Sequence, residues 1–302
     1  MKKTSSKNWT VITLIILPLS LLIMMSSCKM ADLRTTAIKE NTQSSEQIEL
    51  AKNLLAKTIK RHGFDKINQF TTYELIGNDH WKGLLGKMGN PWDWNKDKIA
   101  LRFSVGDFDG QVEVLEGKKT GFVAGIQSWD YYEKVNGNYK IDVKDDDRKI
   151  FNLAAIHYFL ELPYRLSSSA SFVRYAGEDQ IRGVQVDKVF ISWSNEATDK
   201  YDHYVLWISK ESGLIEAAQF TTREAPAPKF LKSVIHFEDY RNIDGVFIPF
   251  VQSVQMGKPK NKTSKYIHRI TINEFVWNKF PVSDIRPFPE LKSVGDEKPY
   301  QN

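Results

Sequence analysis

The chain contains a single cysteine, Cys28. One thiol excludes an intramolecular disulfide framework, so stability has to come from packing. An uninterrupted apolar run of ~20 residues, the length a membrane-spanning helix needs, is also missing. The longest apolar stretch, Val11 to Met25, is broken by Thr13, Pro18 and Ser20. The six histidines (His62, His80, His157, His203, His236 and His268) form no His-x-x-x-His pair, and no Cys/His cluster exists. A metal centre is therefore not expected, since zinc needs three or four converging ligands. There is no Gly-x-Ser-x-Gly elbow for a serine nucleophile and no Gly-rich phosphate loop. The net charge is +5, but Lys2, Lys3 and Lys7 supply three of those charges, and the rest of the chain is close to neutral. With no basic helix, zinc-finger spacing or RNA-binding aromatic motif, nucleic acid is not an expected partner. No cofactor is expected either, and the chain reads as a non-enzyme.

What is present begins at the N-terminus. Lysines, a short apolar core and then Ser26-Ser27-Cys28 describe an export signal with small residues at the cut. The stretch Met25-Ser26-Ser27-Cys28 resembles the lipobox of bacterial lipoproteins, with Met25 at the position where Leu is commonest. The resemblance implies removal of residues 1–27 as a signal peptide. It also implies lipidation of Cys28: a thioether-linked diacylglycerol and, in many bacteria, a further acyl chain of the palmitate kind. Each buried methylene contributes about 0.8 kcal/mol and one chain holds only marginally, so two or three chains make a stable anchor. The expected location is the bacterial cell envelope, lipid-anchored, at the outer membrane facing the periplasm. An uncleaved transmembrane anchor and a buried structural cysteine are the alternatives. The short run argues against the first, and the polar residues after Cys28 against the second.

Residues 28–43 read as a lipidated N-terminus and flexible tether, and 44–302 as one domain. Ser44 and Gln47 have capping-box spacing, and Ile48, Ala51, Leu54, Leu55, Thr58 and Ile59 recur at helical period up to Gly63. Strands follow at 67–76, 99–105, 111–115 and 120–124, divided by Asp109-Gly110 and Glu116-Gly117, with a further turn signal at Asn136-Gly137. A second β series starts near Ser171. Its strands are expected around Val184–Ile191 and over 204–208, 214–222, 232–240, 246–255 and 264–277, with Asp244-Gly245 as a hairpin signal. Gly77 to Trp94 reads as a long loop. Between the two series, 145–162 reads as a helix that is apolar almost all round, with Asp145, Asp146 and Asp147 at its start and Pro163 ending it. A helix so apolar is buried or lines an apolar hollow.

Two blocks carry a family likeness: Tyr204-Val205-Leu206-Trp207-Ile208-Ser209-Lys210-Glu211-Ser212-Gly213-Leu214-Ile215, and Phe237 to Pro249 with its Asp244-Gly245 turn. Together with Leu162-Pro163-Tyr164-Arg165-Leu166 they resemble the outer-membrane lipoprotein-sorting superfamily, the Lol-type carriers and receptors. They resemble most a group of uncharacterised bacterial lipoproteins with that fold. The likeness covers residues 150–255. It implies a mainly β fold with α: an unclosed, strongly curved antiparallel β-barrel with helices covering the concave face. It also implies a hydrophobic ligand or lipid held under those helices. Phe151, Ile156, Phe159 and Leu160 are the expected helix lining, and Trp193 and Trp207 the expected sheet lining. The alternative is a non-catalytic module docking on an outer-membrane or cell-wall complex, its protein partner unspecified.

Other groups have plainer explanations. Asp107-Phe108-Asp109-Gly110 lacks the remaining ligands of a calcium loop and reads as a hairpin turn. Ser167 to Ser169 read as a loop. Asp145 to Asp147 read as helix-start charges rather than a cation site. Trp81, Trp92 and Trp94, and the group Trp129, Tyr131 and Tyr132, suit a bilayer interface or a sugar ring, but core packing is the simpler assignment.

Overall fold

The structure is a computed structural model that describes residues 30–141, 147–169, 172–225 and 227–292. Cys28, Asp145 and Asp146 lie outside the described residues.

Among the described residues thirteen strands form one antiparallel sheet. The first arm holds β1 (Thr72–Trp81), β2 (Lys96–Ser104), β3 (Gly110–Glu116), β4 (Val123–Gln127), β5 (Asp130–Val135) and β6 (Asn138–Lys140). The second arm holds β7 (Phe172–Ile181), β8 (Val184–Ser192), β9 (Tyr204–Ser209), β10 (Ile215–Thr221), β11 (Lys232–Ile243), β12 (Val246–Met256) and β13 (His268–Trp277). Each arm is a meander, and β1 pairs with β13 to join them, Tyr73 opposite Trp277. The end strands β6 and β7 do not pair with each other, so the barrel stays open. This is the unclosed antiparallel architecture, mainly β with α, that the sequence motifs imply.

The helices are α1 (Thr36–Lys39), α2 (Ser45–His62), α3 (Gly83–Gly89), α4 (Asp147–Leu160) and α5 (Leu162–Ser169). The Ser44 side chain and the Gln47 side chain cap α2 reciprocally, satisfying donors that a helix start leaves unpaired. Gly63 ends α2 at φ 79°, a left-handed conformation that costs a side-chain-bearing residue energy. A Cβ there would also collide with the carbonyl oxygen of Gly245 in the β11–β12 turn, so only glycine allows this approach. α2 buries Ala51, Leu55, Thr58 and His62 and packs on β7, β8 and β12, while α4 packs on β3 and β4. α5 bridges α2 and α4.

Strand alternation gives the sheet two apolar faces. On the concave side, Tyr73, Leu75, Leu101, Phe103, Val112 and Ile126 pack with Ile150, Leu153, Ile156 and Leu160 of α4. Farther along, Val189, Ile191, Leu206, Ile208 and Phe237 pack with Leu55, Phe159 and Leu166. On the convex side, Phe190, Val205, Trp207, Ala217 and Val234 are covered by Leu33 and Ile38.

Several expectations change. Residues 31–39 are not a free tether: Ala31 and Ile38 are 3 % exposed, because the convex face of β8 to β11 is apolar and this segment covers it. The helix expected over 145–162 stops short of Pro163, at Leu160, and Pro163 itself sits in the first turn of a second helix, α5, where its missing N–H is no loss. The long loop at 77–94 is the end of β1 followed by α3. Ser167 to Ser169 are not a loop but the last residues of α5. Tyr131 and Tyr132 lie on β5, which is paired on both sides, and β6 is the edge strand of that arm.

Candidate functional site

The sequence points to the space between the helices and the concave face. Ile156 and Leu160 are buried there against β1 to β4, and Phe159 is buried in the adjacent cluster with Leu206 and Phe237. Trp193, half-buried, joins that second cluster through Tyr204, its ring centroid 5.9 Å away. Phe151 is half-buried on α4. Trp207 is on the other face. Tyr204, Leu206 and Ile208 point to the helices, so Val205 and Trp207 point outward, beneath the N-terminal segment. Ile156, Phe159, Leu160 and Trp193 therefore lie in the two clusters between helices and sheet, Phe151 joins neither cluster, and Trp207 lies on the opposite face.

The contact between helices and sheet is occupied by the protein's own side chains. Two open clefts lie on the exterior. One, of about 590 Å³, runs along α2 beside Leu50 and Asn53. The other, of about 550 Å³, lies between the outward residues Glu74, Arg102 and Gln111 and the C-terminal segment around Phe280 and Pro287.

At the α4–α5 junction this apolar interior holds charge. Glu161 lies between two partners: His157 Nε2 is 3.0 Å from Oε1, and Arg165 Nη2 is 2.8 Å from Oε2. All three side chains are at most 2 % exposed. Burial pushes the Glu161 carboxyl up, but the His157 and Arg165 charges outweigh it and hold it below the usual carboxylate range. The His157 ring stacks on Phe103 with centroids 4.4 Å apart. The Arg165 guanidinium lies 4.2 Å over the Phe108 ring and also donates to the Asp107 carbonyl, tying α5 to the β2–β3 turn. Burial, then the Glu161 charge, raises the nearby Tyr73 hydroxyl well above its ordinary value, so it stays protonated.

This triad was not singled out in the sequence, although its signal was there. His157, Glu161 and Arg165 recur every four residues inside an apolar helical pattern, which stacks them on one side of the helix pair. Weighing each histidine alone hides that spacing.

The other candidates have structural partners. Asp107 and Asp109 receive the Arg286 guanidinium, with Nε 2.6 Å from Asp109 Oδ2. Asp79, 2 % exposed, accepts from Trp81 Nε1 (3.0 Å) and Trp94 Nε1 (2.8 Å) and pairs with His268 Nε2 at 2.6 Å. Trp81 and His268 stack at 3.9 Å and Trp92 and Trp94 at 4.7 Å, so these tryptophans are core residues. His203 and His236 have separate environments. Leu33 N donates to His203 Nδ1, whereas Arg182 Nη1 faces His236 Nδ1. Among the described residues no group of three or more His, Cys, Asp and Glu side chains is placed to hold a metal, and no helix is long and apolar enough to cross a membrane.

No family model and no curated protein matches the chain. Several solved structures are similar in outline. A LolA superfamily protein from Nitrosomonas europaea aligns over 78 % of this chain and 96 % of its own, at 11 % identity and TM-score 0.46. A DUF1329 family protein from Desulfovibrio piger aligns over 76 % and 93 %, at 9 % identity and TM-score 0.44. The lipoprotein LppX of Mycobacterium tuberculosis aligns over 76 % and 97 %, at 12 % identity and TM-score 0.25. The first bears the superfamily name that the motifs in 150–255 resemble; at these scores the likeness is one of outline, and no activity follows from it.

Proposed function

We propose that this protein is a non-catalytic envelope lipoprotein, anchored through acylated Cys28, that takes up a lipid or other hydrophobic ligand between its curved sheet and the α4–α5 helices. The observation that carries this reading is the pairing of an apolar concave face with an apolar helical cover on a sheet that never closes. The cover is held by side-chain packing and by the Arg165 contacts, not by strand pairing. It can therefore move off while the ladder hydrogen bonds stay intact. In the described state the interior is filled, so ligand entry requires displacement of the helices. An acyl chain would then replace the apolar contacts that α4 gives up, each large aliphatic side chain being worth ~1.5–3 kcal/mol when buried.

The filled interior also favours a second reading, a docking module whose core is only structural. Native mass spectrometry of the full chain, extracted from envelopes in mild detergent, separates the two. The lipid-uptake reading expects a stoichiometric non-covalent lipid in addition to the covalent acyl mass on Cys28. An acylated chain that repeatedly carries no second lipid supports docking instead.

A further inference from the structure

Ala31, three residues after Cys28, is already fixed on the domain. Its N–H donates to the carbonyl of Lys229 at 2.9 Å, and Arg223, 1 % exposed, donates through Nη2 to the Ala31 carbonyl. Asp32 accepts from Lys232 Nζ at 3.3 Å through its carbonyl, and its carboxylate pairs with Arg34. Three residues span at most ~11 Å even when fully extended. An acyl anchor on Cys28 therefore leaves almost no free tether. The bilayer surface has to lie close to the β10–β11 connection.

That connection is built to meet a bilayer. Phe230 is 51 % exposed and sits beside exposed Lys229, an aromatic ring next to a cation at the anchor point. Strand direction places the β1–β2 connection on the same rim of the sheet, because the ends of β10, β12 and β1 and the starts of β11, β13 and β2 coincide. The β1–β2 connection carries α3, with Leu84, Leu85 and Met88 exposed by 74, 56 and 66 % and Lys82 and Lys87 between and beside them. From β11 to β1 is three strand spacings, about 14 Å, so both apolar points can touch one surface. Four of the six large apolar side chains exposed among the described residues are on these two connections. Trp81 and Trp94, on either side of α3, are both hydrogen-bonded to the buried Asp79, which fixes the two ends of this connection. Apolar side chains flanked by lysines match the boundary between acyl chains and anionic headgroups.

We propose that this rim, Phe230 with Lys229 at one point and Leu84, Leu85 and Met88 at the other, rests in the bilayer that holds the Cys28 acyl chains, so that the domain is seated on the membrane in a fixed orientation. The proposal rests on acylation of Cys28, and its test reports that separately. In the acylated chain Cys28 has no free thiol, so an introduced cysteine can be labelled alone. The full acylated chain carrying Phe230→Cys, Leu85→Cys or, at the opposite rim, Glu211→Cys takes an environment-sensitive fluorophore. Each is reconstituted in phosphatidylethanolamine/phosphatidylglycerol vesicles with and without brominated acyl chains. The expected result is a blue shift and several-fold stronger quenching at 230 and 85 than at 211. Equal, water-like signals at all three positions on a chain whose mass confirms acylation overturn the seating alone. So do signals at 230 and 85 that shift only in protein-containing native membranes, which would make the rim a protein-docking surface. A chain without the acyl mass removes the anchor and the seating together.

Discussion

Arg165→Ala lowers stability by about 3–5 kcal/mol, the cost of leaving a buried charge without its partner. Glu161 loses the ion pair on Oε2, and α5 loses its bond to the Asp107 carbonyl and its packing on Phe108. His157 remains on Oε1, but the carboxylate is at most 2 % exposed and has no route to water. Glu161→Gln is milder, because it removes the charge with little change of shape, although it leaves Arg165 with one partner fewer. The double variant Glu161→Leu/Arg165→Met recovers most of the loss, since replacing both charges by apolar groups of similar size leaves neither stranded. Urea-unfolding midpoints of the wild type, the singles and the double decide this. An Arg165→Ala midpoint within error of wild type, or a double variant worse than either single, contradicts a coupled buried pair.

Acidification from pH 7 towards pH 4.5 costs on the order of several kcal/mol through three buried histidines. Burial depresses His62 to about 3. Burial followed by the Arg223 charge depresses His203 to about 4. Burial followed by the Arg182 charge depresses His236 to about 4. All three folded values lie below the ordinary 6.5 of an exposed imidazole. Between 6.5 and about 4 the unfolded chain therefore binds more protons than the folded one, and stability falls as the pH is lowered through that window. Above 6.5 the contribution is complete and the curve is flat with respect to these groups. The neutral His62 ring accepts from the Ile215 N–H through Nε2, a bond that protonation would destroy. Glu161 adds a loss only at lower pH, where its depressed carboxyl protonates. Unfolding free energies at pH 8, 6 and 4.5 measure the slope, and His62→Gln reduces it. A stability independent of pH between 8 and 4.5 contradicts these placements.

Most strands were legible because turns and alternation are local: Asp244-Gly245, Glu116-Gly117 and Asn136-Gly137 all sit in hairpin turns. α2 was legible to its caps, since the Ser44/Gln47 pairing and the Gly63 stop depend only on neighbours in sequence. What failed depends on contacts distant in sequence. Residues 31–39 are polar enough to read as a tether, and only the apolar convex face they meet makes them structure. α3 is hidden by three glycines, and its tryptophan neighbours are core residues because Asp79 and His268 receive them. Trp207 shows the limit of residue type alone. Its size suits a lining, but the alternation from Leu206 sends it outward. The helix side chains proposed for the interior were read from the apolar character of α4, and the structure packs Ile156, Phe159 and Leu160 on the concave face. The charged triad among them needed the four-residue spacing to be read across Pro163.

Hydrogen exchange on the full chain, with and without oleate, tests most directly whether the helical cover yields to an apolar guest. The account predicts that oleate changes exchange in 147–169 and in the facing strands β2, β3, β8 and β9, with faster exchange in the α4–α5 amides that leave the sheet and unchanged rates at β12 and β13. Identical exchange across 147–169 at saturating oleate would mean that the interior is a permanent core, and would contradict ligand uptake beneath the helices.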